Sequence, residues 1–193
     1  MANNDFVISC SNQAVVDAAI RAARQMIEQT ARRLQMPVNV PEDPRVGNYS
    51  LRRALTDVFK VQSGNPSIRQ VFEIKQNFGL LAQAVTRTKA ICVSAAHPMC
   101  GQSGQLGHTA FAEIGADSSP IVYLCPAFFR AVPKEQARTI VHELAHARLG
   151  VGHRGGEVLN FEQCPDLSLR SFDDAINNAN AYDAFADCVS SLR

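Results

Sequence analysis

Thr139-Ile140-Val141-His142-Glu143-Leu144-Ala145-His146-Ala147 is the stretch on which the reading of this chain turns. It holds an H-E-x-x-H pattern within a run of helical character. Side chains four apart lie one above the other on a helix face, so His142 and His146 can reach one metal ion, with Glu143 beside the open coordination position. Such a pattern predicts zinc-assisted hydrolysis of an amide bond. The flanks agree with a helix. Pro133 opens it where a missing N–H costs nothing, Ala137, Ile140, Val141, Leu144 and Ala145 give it a buried face, and Gly150-Val151-Gly152 stops it. The glycine-rich stretch to Gly156 lets the chain turn back toward a metal held by the helix.

Outward from the motif, residues 90–125 change character. Ile91-Cys92-Val93, Thr109 to Ile114 and Ile121 to Cys125 read as three short strands separated by Gly, Ser and Pro, enough for a small sheet. His97 and His108 sit in the loop between the first two, where histidines are more often solvent-facing than ligating. Residues 1–89 read as a helical layer without evident chemistry. Ser11 to about Gln35 is an amphipathic helix, Ser50 caps a short one to about Val61, and Ser67 to about Thr88 forms a third, with a proline-rich loop from Pro37 to Asn48. Ser171 caps the last helix, which carries Ala175, Ile176, Ala179, Tyr182, Phe185, Ala186 and Val189.

The 193 residues suit one domain, 1–193, with a helical part (1–89) and a sheet with the zinc-site helices (90–193). Nineteen basic against eighteen acidic residues give a formal charge of +1 without a basic block, which argues against nucleic acid as a partner. No apolar run reaches the roughly 20 residues of a membrane span, and the first residues lack the pattern of a signal peptide. Six cysteines, at 10, 92, 100, 125, 164 and 188, are compatible with disulfides in an oxidising compartment or with buried thiols. None forms C-x-x-C. Disulfides without a signal peptide point to a secreted protein, or to a bacterial effector delivered by a dedicated secretion system.

A catalytic zinc takes three protein ligands, leaving the fourth position to water. The third is open between His153 and Glu157. His153 resembles the last histidine of H-E-x-x-H-x-x-G-x-x-H but lies one residue too far, and its glycine is displaced as well.

Three blocks carry a family resemblance: Ile121-Val122-Tyr123-Leu124-Cys125-Pro126-Ala127-Phe128-Phe129, then His142-Glu143-Leu144-Ala145-His146, then Asn178-Ala179-Asn180-Ala181-Tyr182-Asp183-Ala184-Phe185-Ala186. In order and spacing they resemble the deuterolysin-like (aspzincin) metalloendopeptidases, especially the lysine-specific branch, over roughly residues 90–190. The resemblance implies an α+β, zincin-like metallopeptidase fold, mostly helical with a small antiparallel sheet, and Zn2+ as cofactor. It also implies a third ligand from a G-T-x-D-x-x-Y-G segment. Here Gly155-Gly156-Glu157-Val158-Leu159-Asn160 offers glutamate for the aspartate and Asn160 for the tyrosine, so the alignment favours Glu157 over His153. Tyr182, His153 and Arg154 are the candidates to replace that tyrosine. Acidic residues of the final block bind the substrate lysine in the lysine-specific relatives. Here Asn180 replaces one acid and Asp183 keeps the other, which assigns both to substrate binding without strict lysine specificity.

The expected activity is a zinc metalloendopeptidase acting on protein or peptide substrates, with Glu143 as the base that takes a proton from the attacking water. Residues 109–115 would hold the substrate backbone as an added strand. A zinc hydrolase acting on peptidoglycan, or a degenerate metallopeptidase fold that binds a partner, are the alternatives. An inhibitor or immunity protein would leave no recognisable mark in the sequence.

Overall fold

The computed structural model describes residues 6–10, 12–35, 48–61, 68–101, 109–156, 167 and 169–192. Helix α1 spans Gln13–Arg33 and is capped by Asn12, whose side chain accepts from the Val15 N–H. Helix α2 spans Asn48–Phe59, starting ahead of the expected Ser50, and α3 spans Ile68–Val85. A four-residue helix, α4 (Pro98–Gly101), follows the first long strand. Then come α5 (Pro133–Leu149), the short α6 (Phe172–Ile176) and α7 (Ala179–Ser190). Pro133 begins α5 and Gly150 ends it with φ of 67°, a left-handed conformation glycine adopts without strain.

The strands are β1 (Val7–Ile8), β2 (Lys89–Val93), β3 (Ala110–Ile114) and β4 (Pro120–Leu124), in the order β1-β2-β4-β3. The expected α+β class is found. The sheet, expected to be antiparallel, is mixed. β3 and β4 form an antiparallel hairpin across Gly115–Ser119, and β1 runs antiparallel to β2, but β2 lies parallel to β4. β3 takes the antiparallel place beside β4, so the chain leaving β2 must return to pair in the same direction.

Alternation along the strands gives the sheet two apolar faces. Ala90, Cys92, Ala110, Ala112, Val122 and Leu124 face the helices. Ile91, Val93, Phe111, Ile121, Tyr123 and Cys125 form a smaller cluster on the other side, joined by Cys100 of α4. A disulfide joins Cys100 to Cys125, and His97 stacks on Phe111, which stacks on Tyr123. A second disulfide, Cys10–Cys92, links the residues after β1 to β2. Cys188 is also disulfide-bonded.

Helix α7 is the centre of the helical layer. From Ala179 to Val189 every residue is buried, and α1, α2 and α5 pack around it. A helix buried all round forms when neighbours cover each face, and the small side chains of Ala179, Ala181, Ala184 and Ala186 in α7 allow that close approach. The rings of Tyr182 and Phe185 pack against those of Phe59 and Phe78. The Tyr182 hydroxyl donates to the Ile176 carbonyl at 2.9 Å and accepts from the Asn77 amide at 2.7 Å. It is thus committed to joining α3, α6 and α7. Tyr182→Phe removes a partner from the buried Ile176 carbonyl and from the part-buried Asn77 amide and should cost about 1–3 kcal/mol, read as a lower urea midpoint with the far-ultraviolet spectrum retained.

Candidate metal centre

His142 and His146 project from the same face of α5, as their four-residue spacing requires, and their Nε2 atoms approach to 3.0 Å. The chain leaves α5 at Gly150 and doubles back. His153 Nε2 lies 3.0 Å from His142 Nε2, and all three histidines offer ligand atoms within 4.8 Å of one another. Among the described residues this is the one cluster of its kind. Glu157, the third ligand favoured by alignment, lies outside the described residues, as does His108; His97 lies away from the cluster, stacked on Phe111.

The outer nitrogens show what the inner ones present. His146 Nδ1 lies 2.7 Å from the Val151 carbonyl, which only accepts, so Nδ1 carries the proton and Nε2 the lone pair. His142 Nδ1 lies 3.1 Å from Asp183 Oδ2 and is oriented in the same way. Two imidazole lone pairs converging across 3.0 Å repel each other unless a cation lies between them. A neutral, all-nitrogen donor set of three imidazoles suits zinc and leaves a position for water.

The backbone at Gly152 and His153 is held by the segment before α7. Gly152 and His153 form bridges with Asn178, and the Ala179 N–H donates to the Gly152 carbonyl at 2.9 Å. Asn178, fully buried, does most of the fastening. Its Nδ2 donates to the carbonyls of Arg154 at 2.7 Å and Gly156 at 2.9 Å, while its Oδ1 caps α7 by accepting from the Asn180 N–H. Gly155, with φ of 84°, turns so closely that an added Cβ would stand 2.9 Å from Leu169 Cδ2. Arg154 extends outward to Asp173 at 2.7 Å, so two of the candidates for the missing tyrosine, Arg154 and Tyr182, are engaged elsewhere, and the third, His153, is in the cluster.

Glu143 stands between the two helix histidines in sequence and is buried. Burial pushes its carboxyl up to about 7; neighbouring His142 partly opposes the rise and Asp183 adds to it. A carboxyl poised there can both take and return a proton near neutrality.

Of the two residues expected to contact substrate, Asp183 is buried and accepts from Arg138 as well as facing His142. Asn180 is buried too, and its Nδ2 has no partner among the described residues. Sequence reasoning missed Arg138, which falls four residues before His142 and so on the same helix face, and it named Asn178 only as part of the final block that carries the resemblance, without a role of its own. The single available signal for Arg138 was that spacing.

The profile of the lysine-specific metallo-endopeptidases (aspzincins) matches residues 57–187, more than half of the chain. Among solved structures, a zinc peptidase from Grifola frondosa matches with a TM-score of 0.63 and 23% identity, over 93% of this chain and 96% of that one, a likeness of fold. No curated protein matches in sequence. From the geometry, Asn178→Ala should free the turn carrying His153 and weaken zinc binding about 10–100-fold, measured by competition with a chromophoric chelator. Wild-type affinity in a folded variant would show that the turn holds His153 unaided.

Proposed function

Because the chain belongs to the aspzincin family of zinc-dependent, lysine-specific metallo-endopeptidases, we propose that His142, His146 and His153 hold the zinc ion and that Glu143 is the general base in peptide-bond hydrolysis. The observation that supports this ligand set is the convergence of three imidazoles whose outer nitrogens are tied to acceptors in two cases. Glu157 gave way to His153 in this reading because the chain's turn at Gly150 brings His153 to the two helix histidines.

Zinc, when bound, supplies a Lewis acid that acidifies water and polarises a carbonyl. The residues of the chain do the rest. Glu143 accepts a proton from the attacking water, and its raised affinity for protons, set by burial, suits it to hold that proton until the leaving nitrogen takes it. β3 pairs with β4 on one side, and among the described residues no strand covers its other edge. An extended substrate segment joining that edge would gain main-chain hydrogen bonds whatever its side chains, which favours unfolded polypeptide over small molecules. Asn180, with its buried amide nitrogen left without a partner among the described residues, is the polar group of the final block that we assign to substrate.

The disulfides Cys10–Cys92 and Cys100–Cys125 support activity in an oxidising compartment, as a secreted or effector-type enzyme. No helix among the described residues is long and apolar enough to cross a membrane.

Glu143→Gln should keep its zinc, by metal analysis, and lose about 10²–10⁴-fold in cleavage of a denatured protein mixture. His153→Ala should shed zinc on dialysis while Glu157→Ala retains it. Zinc lost from Glu157→Ala alone would transfer the third-ligand role to that residue.

A further inference from the structure

Four residues of α5 at successive four-residue steps, Lys134, Arg138, His142 and His146, form one row along the helix. The first three meet two aspartates of α7, themselves four apart. Lys134 Nζ lies 2.9 Å from Asp187 Oδ2, and Arg138 Nη1 lies 3.8 Å from the same oxygen. Arg138 donates to Asp183 Oδ1 through Nε at 3.0 Å and Nη2 at 2.5 Å, and Asp183 Oδ2 faces His142 Nδ1. The two helices thus share a charge ladder in which positive and negative groups alternate and whose last rung is an imidazole of the metal cluster. Lys134 is half exposed, whereas Arg138, Asp183 and Asp187 are buried, so the ladder runs from the surface into the site.

We propose that Arg138 and Asp183 are positioning residues for His142, and that the charge of Asp183 takes no part in selecting a cationic substrate side chain. The inference rests on the ligand set proposed above. The two halves of the Asp183 carboxylate do different things. Oδ1 is held by two donors of one guanidinium, which fixes the plane of the carboxylate against rotation. Oδ2 is thereby set to receive the Nδ1 proton of His142, which keeps Nε2 as the lone pair facing the metal. A carboxylate behind a ligating imidazole orients the ring and raises its basicity. Facing Arg138 at contact distance, the same carboxylate offers little attraction to a second cation.

The experiment compares wild-type protein with Asp183→Asn, Arg138→Gln and Asp187→Asn, each loaded with zinc or with cobalt(II) as a spectroscopic stand-in. Chelator competition gives affinity, visible absorption reports the cobalt environment, and the cut sites in a denatured protein mixture give specificity. Asp183→Asn is expected to bind zinc about 10–100-fold more weakly, with an altered cobalt spectrum and an unchanged distribution of residues at the cut. Arg138→Gln should shift affinity in the same direction by a smaller factor, and it carries the test if Asp183→Asn does not fold. Asp187→Asn removes a charge from the ladder without touching a ligand and should keep wild-type affinity even where its thermal midpoint falls.

Wild-type affinity in both Asp183→Asn and Arg138→Gln overturns the proposal. So does an equal loss in Asp187→Asn, which would reduce the ladder to a structural brace, and so does a selective loss of cuts beside lysine or arginine in Asp183→Asn. If the wild-type protein itself binds no zinc, it is the underlying ligand set that fails.

Discussion

Helix α7 is enclosed on every side and yet carries two carboxylates, Asp183 and Asp187, in its interior face. Leaving one such charge without its partner costs about 3–5 kcal/mol, so the packing of α7 against α5 is possible only in the register that brings Arg138 and Lys134 to meet it. Apolar contacts alone would tolerate a small slide between the two helices. The ionic rungs do not, because a shift of one turn would set each acid opposite the wrong residue. Since α5 also bears His142 and His146, the register that satisfies the buried charges is the one that presents the metal cluster.

The same helix reaches the cluster by a second route. Asn178, just before α7, clasps the carbonyls of the turn that follows α5, and Gly152 and His153 pair with it. In the proposed ligand set, two histidines come from one rigid helix and the third from a turn whose backbone is tied down by Asn178, later in the chain. A site assembled this way is made of ordered parts before any ion arrives. Only the convergence of lone pairs remains unfavourable, and that is the feature a cation relieves.

How far these elements were legible in the sequence depended on the range of the interactions that set them. The limits of α5 were local: Pro133 at one end, Gly150 in a left-handed conformation at the other, and both predicted. Helices α1 and α3 and the three longer strands followed from periodicity within a few residues. The strand β1 is only two residues long and has no period to read. The mixed character of the sheet arises because β4 accepts neighbours from two different parts of the chain. Alignment with the family's segment ranked Glu157 above His153, and the approach of His153 to the helix histidines is set instead by pairing with residues 177–179, which no local pattern reveals. Arg138 carried no signal beyond its four-residue spacing from His142, and its ion pair with Asp183 depends on the burial of α7, which spacing does not reveal.

The bond between Cys10 and Cys92 has a meaning beyond stability. Peptidases act on backbone that can be drawn out of its fold, and short edge strands are the segments most readily drawn out. β1 is such a segment, with two residues paired and both side chains exposed. A covalent tie to the neighbouring strand persists when those few hydrogen bonds open, and it keeps the segment from extending far into a cleft. The shortest strand of the sheet is thereby held to its neighbour by a bond that does not depend on its own two-residue pairing.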